Sequence, residues 1–200
     1  MTRLFTAFAL LASGLAAAEP MLVYSKSFPG STPAFVLIEL QRDGSAVYKE
    51  AVDDESPAKF KLAKEDTDEC FALAEKIEKL KRPLESGLKV AFMGEKVIKW
   101  VEGGTVVGEQ KFNYSQDLDG NKLYDWFEKI AQSEYLYFNL ERSVKFDKLG
   151  VHKAILQVEA AWDKKRLVAV EQFLPLLDRV AKNSSYLNMA RERAAFLAET

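Results

Sequence analysis

Residues 35–48 read Phe35-Val36-Leu37-Ile38-Glu39-Leu40-Gln41-Arg42-Asp43-Gly44-Ser45-Ala46-Val47-Tyr48. The apolar run Phe35 to Ile38 is closed by Gln41-Arg42-Asp43-Gly44, and a second run, Ala46 to Tyr48, follows directly. Asp-Gly between two such runs supplies the backbone freedom that a tight hairpin needs. The stretch therefore predicts two antiparallel strands. Downstream, the acidic loop Asp53-Asp54-Glu55-Ser56-Pro57 leads to a third alternating segment, Phe60-Lys61-Leu62.

A helix is predicted from about Asp66 to Lys81. Asp66, Asp68 and Glu69 make its first turn acidic, while Lys79, Lys81 and Arg82 make its last turn basic. That order suits the helix dipole, and Pro83 cannot continue the ladder. The same order then recurs. Leu88–Met93, Lys96–Val101 and Thr105–Phe112 read as strands separated by Gly94-Glu95 and Glu102-Gly103-Gly104, and a second helix begins near Asp119. Leu123, Trp126, Ile130, Ser133, Tyr137, Leu140 and Val144 keep helical spacing for about six turns, which predicts one long helix; the strand propensity of Tyr135-Leu136-Tyr137-Phe138 leaves a break near Ser133 as the alternative.

Beyond Gly150 the pattern is helical. Ile155, Val158 and Trp162 form one stripe, Leu167, Val170, Leu174 and Leu177 another, with Asp163-Lys164-Lys165 as the turn between them. Pro175 should kink or start a helix. Asn183-Ser184-Ser185 makes a loop and an N-cap before a last helix holding Leu187, Ala190, Ala194 and Leu197. The expected fold class is α+β: an antiparallel sheet from two strand-meander-plus-helix units, with a C-terminal helical hairpin or small bundle. Residues 19–118 form the β-rich region with one helix, and residues 119–200 a helical region packing on it as one compact unit.

The first residues point to export. Met1-Thr2-Arg3 carries one positive charge, Leu4 to Leu11 is apolar apart from Thr6, and Ala16-Ala17-Ala18 precedes Glu19-Pro20. That is the pattern of a secretory signal peptide over 1–18, cut near Ala18, and its apolar core is too short to span a bilayer. The processed chain is expected to be secreted or periplasmic, with no transmembrane anchor. Losing Arg3 leaves a formal charge near −3, with the charges mixed along the chain. Nucleic acid needs clustered Lys and Arg and is a poor partner. Hydrophobic residues make up 48% of the chain, with thirteen Phe, so it folds. Cys70 is the only cysteine, on the apolar face of the first helix with Leu73, Ile77 and Leu80; it reads as a buried, inert thiol.

Catalytic signatures are scarce. His152 is the only histidine, which removes most nucleophile–histidine arrangements, and it reads as a surface residue in a helix's first turn. Asp117, Asp119, Asn121, Asp125 and Glu128 fall at oxygen positions of a calcium-binding loop. The sixth position is Lys122 where such a loop needs glycine, and the preceding segment is a strand. The plainer expectation is that Asp119 caps the second helix, so no metal is expected, and no cofactor. Carboxylates in loops and strand ends (Asp53, Asp54, Glu55, Glu102, Glu109, Asp117) keep a glycosidase-type acid pair open.

Tyr124, Trp126, Phe127, Tyr135, Tyr137 and Phe138 crowd into fifteen residues and cannot all face one core. Trp126, Tyr135, Tyr137 and Phe138 are the candidate binding patch, because aromatic residues are enriched at contact surfaces. Tyr135 to Val144 would also suit a helix-mediated homodimer. The expected function is a non-catalytic binding or scaffold module of the cell envelope, with a protein or envelope component as partner. The alternative is a small carboxylate-dependent hydrolase acting on a glycan.

Overall fold

A computed structural model describes residues 19–199; the proposed leader, 1–18, lies outside them. Six strands, β1 (Met21–Ser27), β2 (Phe35–Gln41), β3 (Ser45–Lys49), β4 (Ala58–Lys61), β5 (Glu95–Glu102) and β6 (Thr105–Phe112), make one antiparallel sheet in the order β4-β3-β2-β1-β5-β6. The fold is α+β, with the C-terminal helices expected. The Asp-Gly hairpin joins β2 to β3: Gly44 N–H donates to Gln41 O at 3.0 Å, and Ser45 N–H to Asp43 Oδ1 at 2.8 Å. Gly44 takes φ +87°, and a Cβ there would lie 2.5 Å from Leu62 O, so glycine is needed for both turn and close approach.

Strand periodicity separates the two faces. Across the sheet, Ala58, Tyr48, Ile38, Tyr24, Ile98 and Gln110 form one row on the core side. On the other side Lys59, Val47, Glu39, Val23, Lys99 and Glu109 form a row of two lysines, two carboxylates and two valines. Lys99 pairs with Glu109 at 3.4 Å on this side. The helices cover only the first face.

The strands are distributed as four and two, not three and three. β1, unforeseen in the sequence, is central, pairing β2 on one side and β5 on the other. The predicted strand Leu88–Met93 has no ladder. β5 is already flanked by β1 and β6, so no edge beside it is free. Instead Asn113 holds this segment, accepting from Met93 N–H at 2.7 Å and donating to Ala91 O at 3.1 Å.

The first helix, α1 (Lys64–Lys76), stops earlier than Pro83 requires. Glu78, Lys79 and Leu80 follow in the left-handed region at φ 57°, 54° and 62°. This turn buries Ile77 and Leu80, and its backbone rests on β6, where a Cβ on Gly108 would lie 1.9 Å from Lys79 O. Gln110 Nε2 donates to Leu80 O at 2.9 Å, and Lys79 Nζ lies over the Trp100 ring.

The second helix, α2 (Leu118–Phe146), runs unbroken for 29 residues through Ser133. Ser133, Glu134 and Leu136 are buried, so packing overrides the local strand propensity. Leu123, Phe127 and Ile130 join the sheet core, where Phe127 stacks on Tyr24 at 4.9 Å. Leu136, Leu140 and Val144 enter a second core with α3 (Val151–Asp163), α4 (Leu174–Lys182) and α5 (Asn188–Glu199). Pro175 lies in the first turn of α4, after a 3-10 turn at Val170–Phe173. Among the described residues no helix is long and apolar enough to cross a membrane.

Candidate functional site

A cleft of about 740 Å³ opens between the outermost strand and α2. One wall is the continuous run Ser56 to Lys64, which contains β4. The other is a single stripe of α2, Glu134, Tyr137, Phe138 and Glu141, at the 0, 3, 4, 7 spacing of one helical face. Ala169, Glu171 and Gln172 close it from the 3-10 turn and the residue before it. The segment entering that turn is tied to α2. Arg166 pairs with Asp125 and bonds Gln132 Oε1 at 3.2 Å, and Val168 N–H donates to Ser133 Oγ at 3.0 Å. Ala169 then turns the chain with φ 51°.

Glu134 is the distinctive group of this wall. It is 1% exposed; Gln172 Nε2 donates to its Oε1 at 2.7 Å, and its Oε2 has no protein partner. Burial pushes its carboxyl up to about 7, with the Gln172 bond opposing. A carboxyl poised there releases or takes up a proton near neutrality, and an unpaired buried oxygen is costly enough to call for a donor. The sequence reading missed Glu134. Its signal was placement: four residues after Ile130 and seven after Phe127, it puts a charge inside a buried helical stripe.

The four candidate aromatics separate. Tyr137 and Phe138 line the cleft, Tyr137 edge-on to Phe173 at 5.6 Å and Phe138 packed 6.0 Å from Tyr48. Tyr135 joins Phe138 in an adjoining groove of about 390 Å³ that shares Ser56 and Glu141 with the first. Trp126 lies apart from these grooves, half-buried against the sheet core with Lys129 4.7 Å from its ring centroid. Leu136, Leu140 and Val144, within the stretch considered for a homodimer, are spent in the second core.

The calcium-like spacing has another use. Asp117, not Asp119, is the N-cap: its Oδ1 accepts Gly120 N–H at 2.8 Å, and Arg82 pairs with its Oδ2 at 2.8 Å. Asp119 meets the same guanidinium at 3.6 Å, Asn121 Nδ2 donates to Ser115 O, and Glu128 accepts from Tyr24 O–H at 2.8 Å and Lys26 Nζ at 2.7 Å. The helix carries these oxygens apart. Among the described residues no cluster of three His, Cys, Asp or Glu is placed to hold a metal. Glu102 is held by Lys79 and Trp100 Nε1, and Glu109 by Lys99. Asp53 and Glu55 are exposed, and Asp54 borders the second groove. Cys70 is fully buried and its thiol is pushed well above the usual range by desolvation. His152 is half-buried in the first turn of α3.

Comparison with protein-family models, with curated proteins and with solved structures finds no match for this chain.

Proposed function

We propose that the chain is an exported, non-catalytic binding module of the cell envelope, with the cleft between β4 and α2 as its binding site. The observation that carries this reading is Glu134, a buried carboxylate with an unpartnered oxygen in the wall of a cleft whose volume suits a ligand. Half-buried Tyr137 and Phe138 beside it offer rigid contact area. The leader pattern at 1–18 supports export.

A photo-crosslinking residue at Lys59, on the strand that walls the cleft, tests the reading in the native cell against the same residue at Lys111, on the opposite edge strand. A discrete adduct from position 59 alone is expected. Equal labelling from both positions overturns it. Intact mass of the native protein should lack the first eighteen residues, and their retention overturns export.

Glu134 also favours a second reading, a carboxylate-dependent hydrolase, since a carboxyl pushed up to about 7 can act as a general acid and Glu141 and Glu171 line the same cleft. Hydrolysis of a panel of chromogenic glycosides, abolished by Glu134→Gln, would replace the first reading with this one.

A further inference from the structure

The cleft has an uncommon pairing of walls. β4 ends the sheet and pairs with β3 alone, so along Ala58–Lys61 one wall presents a strand edge whose outward N–H and C=O groups have no ladder partner among the described residues. An exposed edge of this kind is a template for a further strand. The facing wall is a helical stripe with Glu134 and Glu141 around Tyr137 and Phe138, joined by Glu171, and it contributes no cation to the cleft. A strand laid against β4 would turn alternate side chains toward that stripe and the others toward the opposite face of the sheet. On that outer side stand Lys59 and Lys61, both exposed.

These charges select among occupants. A second copy pairing β4 with β4 in antiparallel register would set the lysines of one chain against those of the other, and like charges directly opposite destabilise a strand pair. A different chain avoids this with acidic residues on its outward side. Its inward side meets an unpartnered carboxylate oxygen and two aromatic rings.

We infer, resting on the cleft as the binding site, that it takes an extended segment of a partner protein as a seventh strand on β4. A Lys or Arg of that segment sits on Glu134, an apolar side chain two residues away packs on Tyr137 and Phe138, and acidic residues face Lys59 and Lys61. Backbone ladder bonds provide the affinity and the alternating side chains the choice of partner, as in other strand-addition complexes. The bond to Glu134 is charge-assisted on both sides and is the strongest single determinant.

The test uses the natively processed protein and two synthetic peptides. One alternates Glu with inward Arg and Leu; the other has Leu in place of Arg. Calorimetry and amide hydrogen exchange are the readouts. The Arg peptide should bind and slow exchange within Ala58–Lys61, and Glu134→Gln should weaken it about tenfold or more while leaving the Leu peptide unchanged. Lys59→Glu should shift preference to a peptide with Lys outward, which gives a second readout if Glu134→Gln is poorly folded. Binding that protects β6, or leaves β4 unprotected, overturns strand addition while the cleft reading stands. Failure of both peptides alongside a discrete adduct from position 59 overturns the ligand class alone. Failure of the peptides and of that adduct overturns both.

Discussion

Glu134 carries a measurable signature of its own. Its proton is held more tightly in the folded chain, where burial raises the carboxyl from 4.5 to about 7, than in the unfolded one. The stability linked to it is therefore complete below about pH 4.5 and is lost as pH rises through about 7, about 3 kcal/mol in all. Glu134→Gln should flatten this dependence, raising the melting temperature by several degrees at pH 8 and changing it little at pH 5; thermal melts across that range check it. Asp117 acts locally by comparison. Asp117→Ala removes the acceptor of Gly120 N–H and the closer partner of Arg82, whose Nε is already buried without a bond, and should cost about 1–2 kcal/mol in urea denaturation. The acidic spacing at 117–128 was visible in the sequence, but its use was not. Whether those oxygens converge on an ion or spread along a helix depends on where the helix starts, and Asp117 starts it.

At the scale of elements, the left-handed turn after α1 is the part least readable from residue types. No glycine occupies positions 78–80, and non-glycine residues each lose about 1–2 kcal/mol in that conformation. Burial of Ile77 and Leu80, with the bond from Gln110 Nε2 to Leu80 O, offsets that cost. Two substitutions probe it in opposite directions. Gly108→Ala places a methyl where Lys79 O already lies and should destabilise by about 2–3 kcal/mol. Glu78→Gly relieves strain at an exposed position and should stabilise by about 0.5–1 kcal/mol. Equilibrium denaturation of both variants reads these out. The charge order near Lys79–Arg82 and Pro83 correctly announced an end to the helix, yet tertiary contact with β6 moved that end forward. β1 escaped notice for a related reason: Met21–Ser27 is a brief stretch beside the leader that opens on four apolar or aromatic residues without alternation, and its central place comes from pairing with β2 and β5.

Over the whole molecule, α2 is shared by two cores. Its first half completes the sheet core, its second half the helical one, and Ser133 and Glu134 lie at the junction. α5 packs chiefly on α3 and α4, away from the sheet. Its amides should therefore exchange through openings of lower free energy than those of β1. Native-state hydrogen exchange measures this, and one common opening energy would instead show a single cooperative unit. The α+β class, the Asp-Gly hairpin and the buried Cys70 were determined by the sequence alone, because hydrophobic period and turn chemistry are local; the stripe read through Leu167, Val170, Leu174 and Leu177 was not, since Leu174 is exposed and α4 buries Leu176, Leu177 and Val180 instead. The central position of β1, the left-handed turn, the unbroken α2 and the cleft with Glu134 were decided only in three dimensions. Strand order, edge availability and the burial of a single carboxylate depend on which distant segments meet, and no local pattern encodes that meeting.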